Sequence, residues 1–380
     1  MTFRLFNGAR VLLATVIVAS IILGIGAATL VLRGVRKQTV EQKQTGGAVP
    51  DGTNKVEAIK TSSVALGKAQ QLIRTLRDSA MKITDMQELC LKNAAVLEQL
   101  RLLGTEAIPA YLEAIADKAC PSSLRALLIE MVAHLVGQQD ARVGQVLMAV
   151  ITDTTDDKGV RMQALQWIPV TGDRSAGAKL LEILPQQTDT DLEFGIVRAM
   201  RGFKVPDSVG VLKSELANQK GYLIRIAATH AVAAQGGQDA LILLQNSLAT
   251  RLAAGGQENH PEENSVSMHE ILALGEIRDV SSLPILETVA ENPANSVSVR
   301  NTAFQTIASI GGPDATGFLR QALLNESNES VLVYIARAMS LAGERTDANA
   351  CLTKAATVSD SYTKAALEKA AQQLKEKVSP

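Results

Sequence analysis

Two stretches, VRNTAFQTIASIGGPDATGFLRQAL from Val299 and IRIAATHAVAAQGGQDALILLQNSL from Ile224, are copies of one unit. Each opens on a branched residue and Arg, places Ala three residues after the Arg, reaches Gly-Gly-x-Asp-Ala, and continues into a second apolar-periodic run. The same opening recurs in VRMQALQWIPVTGD from Val160 and LRALLIEMVAHLVGQQD from Leu124. Glycines at 104, 137, 172, 202, 236, 275, 311 and 343 punctuate the chain at intervals of 30 to 39 residues. A period of this length is the mark of stacked helical hairpins, so the expected fold is an all-α solenoid of about eight helix pairs.

Within the unit, Val299, Ala303, Ile307 and Ile310 share one helical face, and Ala315, Phe318, Leu319 and Ala322 share one face of the next helix. A hairpin with such stripes cannot bury them alone, which is what drives stacking. Gly311 is expected to end the first helix in a left-handed conformation and Asp314 to cap the second. An Asp follows the punctuating glycine in seven units, at 140, 173, 207, 239, 279, 314 and 347, and capping is the role expected of these carboxylates.

The Val-Arg-x-x-Ala first helix and the Gly-x-x-x-Ala turn resemble the bacterial type of HEAT repeat over Gln87 to Asp360. The resemblance implies a right-handed stack whose extended concave surface holds other proteins. It also implies a ladder of Asp and Arg between units, incomplete here because Asp191, Asn264 and Leu332 stand where Arg is expected. The organisation expected is a leader and membrane helix over 1–36, a tether over 37–54, a linking helix over 55–85, the HEAT-like solenoid over 86–360 and a capping helix over 361–380.

Outside the repeats one segment departs from the rest. Val11 to Leu32 contains no charged residue, and as a helix it would span roughly 33 Å, close to the hydrocarbon core of a bilayer. It predicts a single-pass membrane protein with the solenoid on the extracytoplasmic side, the rival being a cleaved signal peptide. Ser20, Gly24 and Ala28 share one face of that helix and suggest a homodimer contact. Nucleic acid is not an expected partner, because Lys plus Arg number 38 against 39 acidic residues and aromatics make up only 3%.

The chemistry-bearing residues are few. His269-Glu270, in HEILALG, is similar to the iron-binding His-Glu dyads of the deoxyhypusine hydroxylase family, but no second dyad occurs: His134, His230 and His260 are followed by Leu, Ala and Pro. One dyad cannot supply a di-iron centre. No G-x-S-x-G, G-x-x-x-x-G-K or H-E-x-x-H is present. No catalytic residue, cofactor or metal ligand is therefore assigned, and the expectation is a non-catalytic scaffold that binds a protein partner. The alternative is a repeat-based enzyme resembling the phycobilin lyases or the metal-dependent hydroxylase. The lengthened connection from Leu252 to Ser265 suggests His260, Glu262 and Glu263 as partner-binding residues. Folding the first hairpin about Gly104 brings Cys90 and Cys120 to one end, which allows a disulfide between them, the alternative being two buried free thiols; Cys351 stays unpaired in either case.

Overall fold

The computed structural model describes residues 52–83, 85–136, 140–218, 221–253 and 261–377. The chain divides into two compact units after Thr61, and the tertiary contacts described below lie in the unit that starts at Ser62. The regular elements among the described residues are all helical, with no strand. Helix α1 spans Gly52–Ala80, α2 Met86–Lys92 and α3 Ala94–Leu103. Hairpins follow: α4 (Ile108–Ala116) and α5 (Ser122–Val136), α6 (Ala141–Thr152) and α7 (Lys158–Trp167), α8 (Arg174–Ile183) and α9 (Thr190–Ala199), α10 (Ser208–Leu216) and α11 (Tyr222–Gln235). The series continues with α12 (Gly237–Ala253) and α13 (Pro261–Ile277), α14 (Leu283–Glu291) and α15 (Val297–Ile310), α16 (Gly312–Asn325) and α17 (Glu329–Ala342), and ends with α18 (Ala348–Ala355) and α19 (Ser361–Glu376).

Each odd-numbered helix from α5 onward packs on the next, so α5 to α19 form one continuous layer. The even-numbered helices form a second, looser layer in which α8 and α10 scarcely meet. There the chain between α9 and α10 is fastened instead to the end of α11: Gln235 accepts from the Val205 N–H at 3.1 Å and donates to the Phe203 carbonyl at 2.8 Å. Between the layers runs one core of Leu, Ile, Val and Ala that includes Leu128, Leu147, Leu180, Val232, Leu274, Ile307 and Leu319, all without solvent contact. Burial of each such branched side chain contributes about 1.5–3 kcal/mol. The stripes predicted from the sequence lie there too, with Val299, Ala303, Ala315 and Leu319 fully buried and Phe318 stacked on Phe304 at 6.1 Å.

Helix ends follow the punctuation with instructive exceptions. Gly311 ends α15 with its N–H bonded to the Ile307 carbonyl at 3.0 Å, at φ 74° but ψ −165°, so it has the positive φ expected of it without the left-handed helical conformation. Gly275 ends nothing: α13 runs on to Ile277, and Arg278 takes the left-handed turn at φ 59°. A Cβ at Gly275 would stand 2.8 Å from Thr306, so that glycine serves the close approach of α13 and α15. Asp140, Asp173 and Asp279 cap the turns that follow them, whereas Asp239 and Asp314 sit in first turns without being caps. Asp207 is left-handed without a side-chain cap bond, and Asp347 accepts from Arg320 and from the Glu344 N–H.

The structure corrects two further expectations. Among the described residues no helix is long and apolar enough to cross a membrane, so the single-pass membrane placement is withdrawn. The run Val11 to Leu32, with Ser20, Gly24 and Ala28, lies outside the described residues. Cys90 and Cys120 are free thiols, as is Cys351. The helix carrying Cys90 is broken at Asn93, whose side chain donates to the Leu89 carbonyl at 2.9 Å and accepts from Ser79. Cys90 therefore has Glu130 and Asp85 as charged neighbours, while Cys120 has Arg77, Asp117 and Arg125.

Candidate functional site

The fourth residue of each odd helix holds the ladder position. It is Arg125, Arg161, Glu193, Arg225, Asn264, Arg300 and Leu332 from α5 to α17. Arg125, Arg161 and Arg300 each donate Nε to a backbone carbonyl ten residues upstream, at 2.8, 3.1 and 2.7 Å. Arg125 then grips Asp156 through two 2.6 Å bonds, and Arg300 pairs with Glu326. In the fourth unit the residue in register is Glu193 and not Asp191, which is exposed and paired with Lys158.

At the sixth unit the ladder is replaced by a denser network. Arg225 donates to Glu263 at 2.6 Å; Arg251, from the even helix α12, reaches both Glu263 and Glu270. Glu270 is without solvent contact and also accepts from Ser247 at 2.6 Å. Glu263 is held below the usual carboxylate range, first by the Arg225 bond, and the Arg251 guanidinium is raised despite its burial because of Glu270 and Glu263. A groove of about 420 Å³ opens beside this network, lined in part by Lys213, Leu243, Asn246 and Thr250. Of the three partner-binding residues expected from the sequence, His260 lies outside the described residues, Glu262 is exposed and Glu263 is engaged internally. The His269-Glu270 pair is split by the helix: Glu270 points into the ion network and His269 onto the opposite side.

That side of the odd layer carries the arrangement with functional character. The ninth residue of each odd helix from α5 to α17 is Glu130, Gln166, Arg198, His230, His269, Gln305 and Arg337; every one is polar and none is buried. His230 Nε2 and His269 Nδ1 are 2.9 Å apart, within hydrogen-bond distance, and Glu276 stands 3.4 Å from the other nitrogen of His230. Arg201 closes the row at 3.3 Å from Glu276. Burial first, then the neighbouring His230, pushes the His269 imidazole below its ordinary value, while the His230 ring is the chief reason that the Glu276 carboxyl is lowered. Among the described residues no group of three or more His, Cys, Asp or Glu is arranged to hold a metal ion.

Arg198 differs from the other arginines of these helices. Its guanidinium lies over the ring of Phe194 at 5.6 Å, and burial alone lowers its pKa, with no carboxylate drawing it back up. In register with Phe194 on the neighbouring helices stand two more half-buried apolar residues, Met162 on α7 and Ile226 on α11. This face was not read from the sequence. The signal was present, because in the Arg-bearing helices each row residue stands five positions after the ladder Arg, but it emerges only when the helices are aligned on that Arg.

No protein-family model matches the chain, and no curated protein does. Solved structures similar to it include human deoxyhypusine hydroxylase in complex with glycerol, 21% identical over 74% of this chain and 98% of that one, with a TM-score of 0.30. Another is the CpcE–CpcF complex of phycocyanin lyase from Nostoc sp., 17% identical over 61% of this chain and 94% of that one, with a TM-score of 0.39. Both are enzymes, and the expectation that this chain is not one is withdrawn on that finding.

Proposed function

We propose that the chain is a HEAT-like repeat protein that binds a protein partner along the ninth-residue face of its odd helices. The observation that carries this reading is Arg198, a half-buried guanidinium stacked on Phe194 without an ion-pair partner among the described residues. Holding a charge this way costs stability unless something completes it. The adjoining strip of Met162, Phe194 and Ile226 offers apolar area beside that charge, which is the composition of a recognition surface. The test is photo-crosslinking from residues introduced at Gln166 and Gln305 in the full chain, with Leu324 on the even layer as control. Adducts from the first two and not from Leu324 support the reading; adducts from Leu324 alone overturn it.

A second reading is favoured by the Glu276–His230–His269 series, in which a carboxylate and two imidazoles stand in line. A lowered imidazole is neutral near pH 7 and can accept a proton, so the bound partner would be chemically altered at this face. Mass spectrometry of the captured partner from wild type and from His269→Ala tests it. A mass change present only with wild type supports catalysis, and identical masses remove it.

A further inference from the structure

We infer that the segment bound at this face is acidic, with a carboxylate flanked by apolar side chains docking on Arg198. The inference rests on the binding reading above and names the chemistry recognised. Arg201, three residues on, is paired with Glu276. Arg198 is left as a single fixed positive charge over an aromatic ring. A guanidinium presents a planar fork of donors that matches the two oxygens and single charge of a carboxylate. A phosphate group, carrying nearly two charges, would leave one unmatched on a floor of Met162, Phe194 and Ile226. That same floor is suited to apolar residues beside the acid, and their burial would exclude water from the ion pair and strengthen it.

The test uses immobilised full chain and three libraries of short peptides, randomised except for a central Glu, Gln or phosphoserine, with retained peptides counted by mass spectrometry. Retention of the Glu library at least about tenfold above the Gln library, with apolar residues enriched beside the Glu, is the expected result. Arg198→Gln should abolish the discrimination and Arg198→Lys should keep part of it, both with an unchanged helical circular dichroism spectrum. Equal retention of the Glu and Gln libraries, stronger retention of the phosphoserine library, no retention of any library, or discrimination that survives Arg198→Gln overturns the inference. Crosslinks from Gln166 and Gln305 together with equal retention would leave the face standing and remove only the carboxylate.

Discussion

At the second unit the position that joins one hairpin to the next is Arg125, closed off from water with Asp156 by two short bonds and a third to the Ile115 carbonyl. At the fourth unit the same position is Glu193, and Asn218 bridges it to Glu215 through bonds of 2.6 and 2.8 Å. One joint is a buried Arg–Asp pair, and the other gathers two carboxyl groups on one asparagine. The second is also where α8 and α10 scarcely meet. A stacked-repeat protein distributes its stability over such interfaces, each felt mainly by its neighbours. The exposed face with Arg198 is thus carried by α9, the helix whose own ladder position is the least conventional.

The strongest way to break the comparison is Arg125→Ala. It leaves a carboxylate that is only 4% exposed without its cation, the Asp157 N–H remaining as a donor, and it orphans the Ile115 carbonyl. The expected loss is about 3–5 kcal/mol, read as a fall in the urea unfolding midpoint. Replacing both partners, Arg125→Met with Asp156→Leu, should recover most of it, since the penalty lies in the stranded charge. A loss under about 1 kcal/mol for Arg125→Ala would mean that the ladder holds little of the stack.

Next in size is Glu270→Gln. Glu270 is fully buried and accepts from Ser247 and twice from Arg251. The amide keeps one oxygen acceptor and loses the charge, so about 1.5–3 kcal/mol should disappear. Because Glu263 still faces Arg251, the loss should remain below that of Arg125→Ala. An unchanged midpoint would show that Glu263 alone satisfies the guanidinium.

Much of this architecture was legible before the structure. The Ala and branched residues after each ladder Arg gave the buried stripes, and Gly311 gave a helix end, because both depend on local sequence alone. The errors arose where tertiary packing chose between local options. The sequence alone puts Asp191 at the ladder position because the helix start in TDTDLEF can be set at either Asp; Asp189 is the cap, which moves the register to Glu193. Gly275 looked like a terminator because its role depends on Thr306, a residue of a different helix. The Cys90 to Cys120 bridge assumed an unbroken helix through Asn93, whose break is made with Ser79. The row from Gln166 to Gln305 was invisible because a lone polar residue per helix looks like ordinary surface.

A smaller effect, opposite in sign, should come from Glu215→Gln. Burial is the first reason that the Glu215 carboxyl is raised, with Glu193 adding to it, whereas Asp156 is lowered chiefly by its bond from Arg125. The two joints therefore respond to pH in opposite senses. Glu215 binds its proton more readily folded than unfolded, so its contribution is full below the unfolded carboxylate pKa and is lost as pH rises through the folded value. Asp156 contributes fully above its unfolded pKa and loses that contribution as pH falls through its folded value. At pH 7 Glu215→Gln should stabilise by on the order of 1 kcal/mol, and it should flatten the decline in stability as pH rises above the ordinary carboxylate value of 4.5. Midpoints measured at several pH values check this; a decline of wild-type steepness in the variant would assign the titration to another group.

The smallest effect is expected from Lys158→Gln, at the same step of the stack. Lys158 reaches from the start of α7 to Asp189 at 2.8 Å and Asp191 at 2.6 Å, and its side chain is about half exposed. These carboxylates are solvated without it, and a long side chain must be immobilised to hold the contact, so the two contributions nearly cancel. The midpoint should be unchanged within error, and any residual difference should shrink in ~1 M NaCl, because exposed pairs are weakened by salt. The Arg125→Ala loss should persist in the same salt, because water and ions do not enter that joint. A Lys158→Gln loss that equals the Arg125→Ala loss and resists salt would place the fourth unit's ladder contact on the surface, and the contrast between the two joints would then be one of position and not of strength.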